Sequence, residues 1–452
     1  MTDSIVGRLA DYADRLAFEA LPGAAVHEAK RRIIDTLGCG LGAFDAEPSR
    51  IARAIASRAR LAGGAPILGT AVRTLPELAA LANGTMTRYL DANDCYPGGG
   101  GHPSDAILPL LALASAAKVD GRAAITATVL AYEIHHALFH GLRLIDKGLD
   151  HVFYVAVGTA AAGAKLLRLD RTRIANAIAI SVASFLPLEV VRHGELSMWK
   201  GASAGEAARA GIAAAALAEA GMTGPTHAFT GRHGLADLIG AFELPPLAPA
   251  GGAFRILEAD MKSLAAEYHA QGPIFAALEL RRQIDPTAIE SVTIHTYAHA
   301  ANGIGRGAER WRPKTRETAD HSLPYMVAAV LADGRFSDDI FAPHRLSDPK
   351  VLAMADKIVV REDQSLTARF PRGFPCRIEI AERGGSTRIA ALDNPPGHHD
   401  CPLGDDAVVE KFLALAGGTL GADSLARAAE SIWALDRSAT VDAMFTALQI
   451  ET

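Results

Sequence analysis

The sequence predicts a mainly α protein: a large all-helical domain made from both chain ends, with a smaller α+β domain between them. Three observations carry this. From Ile5 to about Phe242, Ala, Leu and Ile recur at three- and four-residue spacing, as in Val26, Ala29, Ile33 and Leu37, or Ile107, Leu110, Leu111 and Ala114. After a break at Leu244–Gly252 (L-P-P-L-A-P-A-G-G), which is the linker candidate, alternating β-branched runs appear at Ser291–Tyr297 and Cys376–Ala381. From Asp405 helical spacing returns in Val408, Phe412 and Leu415, then through Ile432 to Leu448, so the last helices are expected to pack back on the first domain. The expected division is residues 1–252 with 400–452 for the helical domain and 253–399 for the α+β domain.

Each element has its own reason. Ile174–Phe185 and Ala202–Ala220 are apolar nearly all round and rich in Ala and Gly, which predicts buried helices in close approach. Helices are also expected near Pro273–Arg282 and Leu323–Asp333, against a hairpin in which Glu382-Arg-Gly-Gly-Ser386 turns the chain into Thr387–Ala390.

At 452 residues the chain exceeds what one core usually organises, and its 49% hydrophobic content and net charge of −6 describe a globular protein without the basic excess that nucleic acid demands. Cys39, Cys95, Cys376 and Cys401 show no C-x-x-C spacing, which fits reduced thiols in a cytoplasm. Neither a signal peptide nor an apolar run of the ~20 residues needed to span a bilayer is expected, so a cytoplasmic protein without membrane partners is predicted.

The segment Tyr89–Asp105, Y-L-D-A-N-D-C-Y-P-G-G-G-G-H-P-S-D, sets acids, a thiol, a histidine and the glycine run Gly98–Gly101 between helical stretches. Such glycines suit a sharp bend or close ligand approach. His102 precedes Pro103, read as the first turn of a helix whose N–H groups favour an anion. Further polar islands stand in apolar surroundings: Asp150-His151, Arg192–Lys200, Glu267–Gln271 and Thr315–Tyr325. Lys200, alone before a long Ala-rich helix, is either a carboxylate anchor or proton donor, or half of a structural ion pair.

Other chemistries are weakly supported. Mid-helix His135 reads as a satisfied polar group, and His398-His399 as an exposed turn. His136 and His140 have helical ligand spacing but no third ligand, and His295 and His299 lie in a segment read as strand, so no metal is expected. Gly201-Ala-Ser-Ala-Gly205 matches a nucleophile-elbow pattern without the strand it needs, and Cys95 has no sequence sign of activation.

Taken in order, Y-L-D-A-N-D, G-H-P-S-D, D-H-V-F-Y, G-E-L-S-M-W-K-G, G-M-T-G-P, A-E-Y-H-A-Q, P-K-T-R-E-T-A-D-H-S-L-P-Y and P-P-G-H-H-D-C-P-L resemble the MmgE/PrpD superfamily, which includes 2-methylcitrate dehydratase, cis-aconitate decarboxylase and iminodisuccinate epimerase. The resemblance spans nearly the whole chain and leans to the dehydratase branch. It implies that the α+β domain is a lid over the active site, that the protein is a homodimer, and that catalysis needs no metal or organic cofactor. It implies active-site positions at Asp91, His102, His151, Lys200, His269 and Tyr325. Cys95, where relatives usually carry Thr, and the glycine run depart from the pattern.

The expected reaction is dehydration of 2-methylcitrate or a related β-hydroxy polycarboxylate, with epimerisation or decarboxylation as alternatives and a non-catalytic polycarboxylate-binding protein as the alternative from another class. Deprotonating carbon beside a carboxylate builds negative charge that cations must meet, a role expected of Lys200 with Arg192. His102 is the expected acid/base at carbon; His151 and His269 protonate the leaving hydroxyl or bind a second carboxylate. Asp91 is expected to orient a histidine, and Tyr325 to bind substrate or relay a proton. Arg192, Cys95, Gly101, Ser104 and Gln271 complete the candidate substrate-binding set.

Overall fold

The computed structural model describes residues 4–96 and 98–450. It is mainly α, with a small α+β portion in the C-terminal half. The chain forms two compact units: the larger runs to Arg192, resumes over Trp199–Ala259 and takes in the helices after Gly404, while the smaller holds His193–Met198 and Asp260–Leu403.

The larger unit is built on helices that sequence composition lets approach closely. Pro76–Tyr89 and Trp199–Glu219 cross where glycine meets glycine: a Cβ on Gly84 would stand 2.6 Å from the Gly205 Cα, and one on Gly205 would stand 2.5 Å from the Leu81 carbonyl oxygen. Alanine at either place would force the helices apart, at a cost of about 1–3 kcal/mol. The crossing brings the end of the first helix, with Arg88, beside the start of the second, with Lys200. Gly121–Leu142 and Arg171–Ser184 start on aspartate caps, Asp120 accepting from the Ala123 N–H at 2.8 Å and Asp170 from the Arg173 N–H at 2.9 Å.

The C-terminal helix Asp405–Ala416 lies on Gly23–Gly42, whose Gly38 faces the Phe412 backbone; a Cβ there would sit 3.0 Å from its Cα. Lys411 reaches across to Asp35 at 2.6 Å and to the Ala92 carbonyl at 2.7 Å, fixing the chain next to Asp91. Leu244–Gly252 is attached to this unit too, with the Ala248 N–H donating to buried Glu133 at 3.1 Å.

The smaller unit has a four-stranded sheet. Ile289–Thr296 pairs in parallel with Ile358–Glu362 on one side and antiparallel with Cys376–Glu382 on the other, and Thr387–Leu392 completes the hairpin. Alternation puts Val292, Ile294, Ile378 and Ile380 into one core with helices Tyr268–Arg281 and Leu323–Asp333. His299 is not in the strand but in the short helix Ala298–Gly303 that follows it. No helix among the described residues is long and apolar enough to cross a membrane.

Candidate functional site

In the larger unit the loop after Tyr89 is fixed by its own acids. Asp94 accepts from the Ser104 N–H at 3.1 Å and the Tyr132 hydroxyl at 2.5 Å, with Arg32 at 3.6 Å. The anion expected at the Pro103 turn is therefore supplied by the protein: the turn is the short 3-10 element Pro103–Ala106, and Asp94 fills it. Asn93 donates to the Ser104 hydroxyl at 3.0 Å and to Asp105 at 2.8 Å, so Ser104 is engaged within the loop.

His102 is buried, and its Nδ1 lies 2.5 Å from the Asp94 carbonyl oxygen. A carbonyl can only accept, so Nδ1 carries a proton and Nε2 is the nitrogen left to exchange one. This carbonyl is an orienting group for the ring. His151 meets His102 edge to face, with ring centres 5.3 Å apart. Burial drives the His151 pKa down to about 3, Asp150 opposing and Arg192 and Arg88 adding to the shift, so it is a neutral imidazole near pH 7. Gly101, at φ +76°, makes room for it. Cys95 is buried in the same loop.

Asp91 has a left-handed backbone, φ +52°, and two buried cations converge on it: Arg88 at 2.5 Å and Lys200 at 3.3 Å. Lys200 is thus in an ion pair. Arg192 differs from expectation. Its Nε and Nη2 grip Asp150 at 2.8 and 3.3 Å, and the remaining donors reach the Lys200 carbonyl and Ser203 hydroxyl, both at 3.2 Å. That fork is filled by protein, so Arg192 positions the Lys200 helix start instead of holding a substrate. Burial would raise Asp150, but Arg192 and His151 bring its pKa down to about 2. Burial lifts Asp105 to about 7 despite Arg88, giving an acid that titrates near neutrality.

In the smaller unit His269 is the first-turn residue of its helix; Glu267 accepts its N–H at 2.7 Å, and the Tyr297 hydroxyl meets its Nδ1. Burial, with Lys262 and His321 adding, drives its pKa down to about 3. Two expected members are structural. Tyr325 is fully buried in the core, its hydroxyl donating to the Ile340 carbonyl at 2.7 Å and its pKa raised by burial. Gln271 uses its whole amide on the 264–266 turn, donating to the Leu264 and Ala266 carbonyls at 3.0 Å and accepting from the Leu264 N–H at 3.1 Å.

Sequence reading passed over Arg88, Lys262 and Asp320-His321. Arg88 and Lys262 are buried cations, and Asp320, itself buried, meets His321 Nδ1 at 2.6 Å. The carboxylate fixes the tautomer so that Nε2 of His321 is basic. The available signals were lone basic residues in apolar or small-residue stretches, R-Y-L-D and D-M-K-S-L, and the D-H pair inside E-T-A-D-H-S.

Residues 7–243 match the family model described as the MmgE/PrpD N-terminal domain, and residues 264–437 match the MmgE/PrpD C-terminal domain. The chain is similar to a 2-methylcitrate dehydratase of Salmonella typhimurium, 29% identical over 80% of this chain and 78% of the relative. It is also similar to one from Cupriavidus necator, 28% identical over 81% of this chain and 79% of the relative. A mitochondrial 2-methylcitrate dehydratase of Yarrowia lipolytica is 28% identical over 91% of this chain and 83% of its own length.

Proposed function

The chain belongs to the MmgE/PrpD family, and from that premise we propose that it is a hydro-lyase that dehydrates 2-methylcitrate or a related β-hydroxy polycarboxylate by acid/base proton transfer between side chains, without an added cofactor. The observation that carries the reading is His102 Nδ1 on the Asp94 carbonyl, which holds the imidazole in one orientation with Nε2 as its other nitrogen. In the proposed reaction His102 Nε2 takes the proton from the carbon beside a carboxylate. The C–O bond to the β-hydroxyl breaks, and the hydroxyl leaves as water with a proton from an acid. The buried cations Arg88 and Lys200 are assigned to the carboxylate on which charge develops. His151, neutral at pH 7, is assigned a hydrogen-bonding role to the substrate oxygens. Within the smaller unit, His269, the Asp320–His321 pair and Lys262 are the groups whose chemistry suits a hydroxyl or a carboxylate. A cytoplasmic homodimer is part of the same proposal.

Cys95 and Gly98–Gly101 favour a second reading, since they alter the loop that presents His102. An epimerase or a decarboxylase would share the proton transfer at carbon and differ in what leaves. Proton NMR in D₂O with citrate, 2-methylcitrate, cis-aconitate and iminodisuccinate separates these readings. An alkene signal growing from a hydroxy acid is the expected result. Deuterium entry at an α-carbon without elimination would replace it with epimerisation, a decarboxylated product would replace it with decarboxylation, and binding without turnover would leave a non-catalytic protein.

A further inference from the structure

The chain enters the smaller unit at Asp260 and leaves it through residues 398–403. These two passages meet at a cluster of Asp260, His398 and His399, whose ligating atoms all lie within 4.8 Å of one another. His398 is not in an exposed turn: it is fully buried, as is Asp260. Asp260 Oδ1 stands 2.8 Å from His399 Nδ1, and its Oδ2 stands 4.0 Å from His398 Nε2, a buried nitrogen with no hydrogen-bond partner.

The other nitrogen of each ring turns the opposite way, toward a single carboxylate. His398 Nδ1 is 3.6 Å from Asp400 Oδ2, and His399 Nε2 is 3.8 Å from Asp400 Oδ1. One carboxylate inside and another behind both imidazoles is the arrangement of a metal centre with its supporting shell. Tetrahedral zinc with bonds of about 2.0–2.1 Å separates its ligand atoms by roughly 3.3 Å, between the two spacings seen here.

We propose that Asp260, His398 and His399 form a binding site for a zinc-class divalent cation that clamps together the two passages of chain at the root of the smaller unit. His398 Nε2, His399 Nδ1 and an Asp260 oxygen are the protein ligands, and water takes the fourth position. Binding needs no net proton loss from the rings. In the metal-free protein the Asp400 N–H donates to His398 Nδ1 at 3.1 Å, which puts that ring's proton on Nε2, and His399 donates through Nδ1. On loading, each proton moves to the outer nitrogen, facing Asp400, and the Asp400 N–H gives up its bond to the ring. Tyr268 donates to Asp260 at 2.5 Å and is followed by His269, so the clamp also fixes the start of the His269 helix.

The test uses the full chain, stripped with chelator and titrated with Zn²⁺ by calorimetry, with metal content measured after dialysis and Co²⁺ as a visible-absorbing substitute. About one zinc per chain, a raised Tm and a tetrahedral cobalt spectrum are expected. His398→Gln and His399→Gln should each weaken binding at least tenfold, and Asp400→Asn should weaken it within about 10–100-fold, the range for supporting-shell changes. Far-UV circular dichroism of each metal-free variant checks the fold, and the half-exposed His399 provides a change that leaves the core untouched. The proposal is overturned if the stripped protein binds no zinc, or if the His398→Gln/His399→Gln double variant binds it as well as the parent.

Discussion

A Cβ atom placed on Gly101 would lie 2.5 Å from Nδ1 of His151, and the Gly101 backbone is left-handed at φ +76°. The imidazole therefore occupies the space that any other residue's side chain would need. Gly101→Ala must shift His151 or the loop that carries His102 directly after it. The expected outcome is a loss of kcat of at least tenfold with an unchanged circular dichroism spectrum. Near-normal kcat would mean that His151 has no part in turnover.

Removal of the imidazole at His102 tests the proton transfer itself. A positioned acid/base group contributes about 10² to 10⁴ in rate, so His102→Ala should lower kcat on that scale. Replacing Asp94 cannot delete its carbonyl, but Asp94→Asn weakens the grip on Ser104 and Tyr132 that holds the carbonyl in place. A smaller kcat loss in Asp94→Asn, with the pH profile shifted, would identify Asp94 as a positioning residue. Activity of His102→Ala within a fewfold of the parent removes His102 from the mechanism.

Lys200 and Asp91 separate carboxylate binding from ion pairing. Lys200→Met leaves Asp91 beside Arg88, so the acid keeps a partner. If Lys200 meets a substrate carboxylate, the variant should raise KM or lower kcat by tenfold or more at a stability cost below the about 3–5 kcal/mol seen when a buried charge is left unpaired. A stability loss with normal kinetics would make the pair structural.

Much of this was legible before the fold was known, because period and composition are local signals. The Ala/Gly-rich helix at Trp199–Glu219 announced a close crossing, and Gly84 against Gly205 is that crossing. What a polar side chain does is decided by its neighbours, and sequence does not place them. Arg192 looked available until Asp150 filled its fork, and Gln271 until the 264–266 turn did. His398 read as exposed because Pro-Pro-Gly suggests a surface turn, whereas Asp260, distant in sequence, draws it inward.

Tyr325 offers a check on that distinction. Its hydroxyl donates to Ile340 inside the core, so Tyr325→Phe strips a buried carbonyl of its donor and should cost about 1–3 kcal/mol. Denaturant unfolding should register that loss while kcat stays within a fewfold. A hundredfold fall in kcat would return the hydroxyl to the reaction.

Acidity should act on stability from two sides. His135, His151 and His269 are held neutral by burial, each with a pKa driven down to about 3 from 6.5. Unfolding exposes rings that take up protons below pH 6.5, so their contribution is complete above that value. It is lost as pH falls toward 3, at about 1.4 kcal/mol per group per pH unit at most. Burial has the opposite effect on acids, most strongly on two of them: Asp105 is raised to about 7, and Glu189 to about 8 with Asp150 adding. These bind protons in the folded state that the unfolded chain releases, so stability grows as pH falls from about 8 toward 7. Below 6.5 the five histidines that burial disfavours as cations, these three with His140 and His398, outnumber the four acids it raises, Asp105 and Glu189 with Asp35 and Glu133, and stability declines. Tm measured from pH 5 to 9 should pass through a maximum between about 6 and 7. A Tm that rises without a break toward pH 5 would show that the histidines are not held neutral.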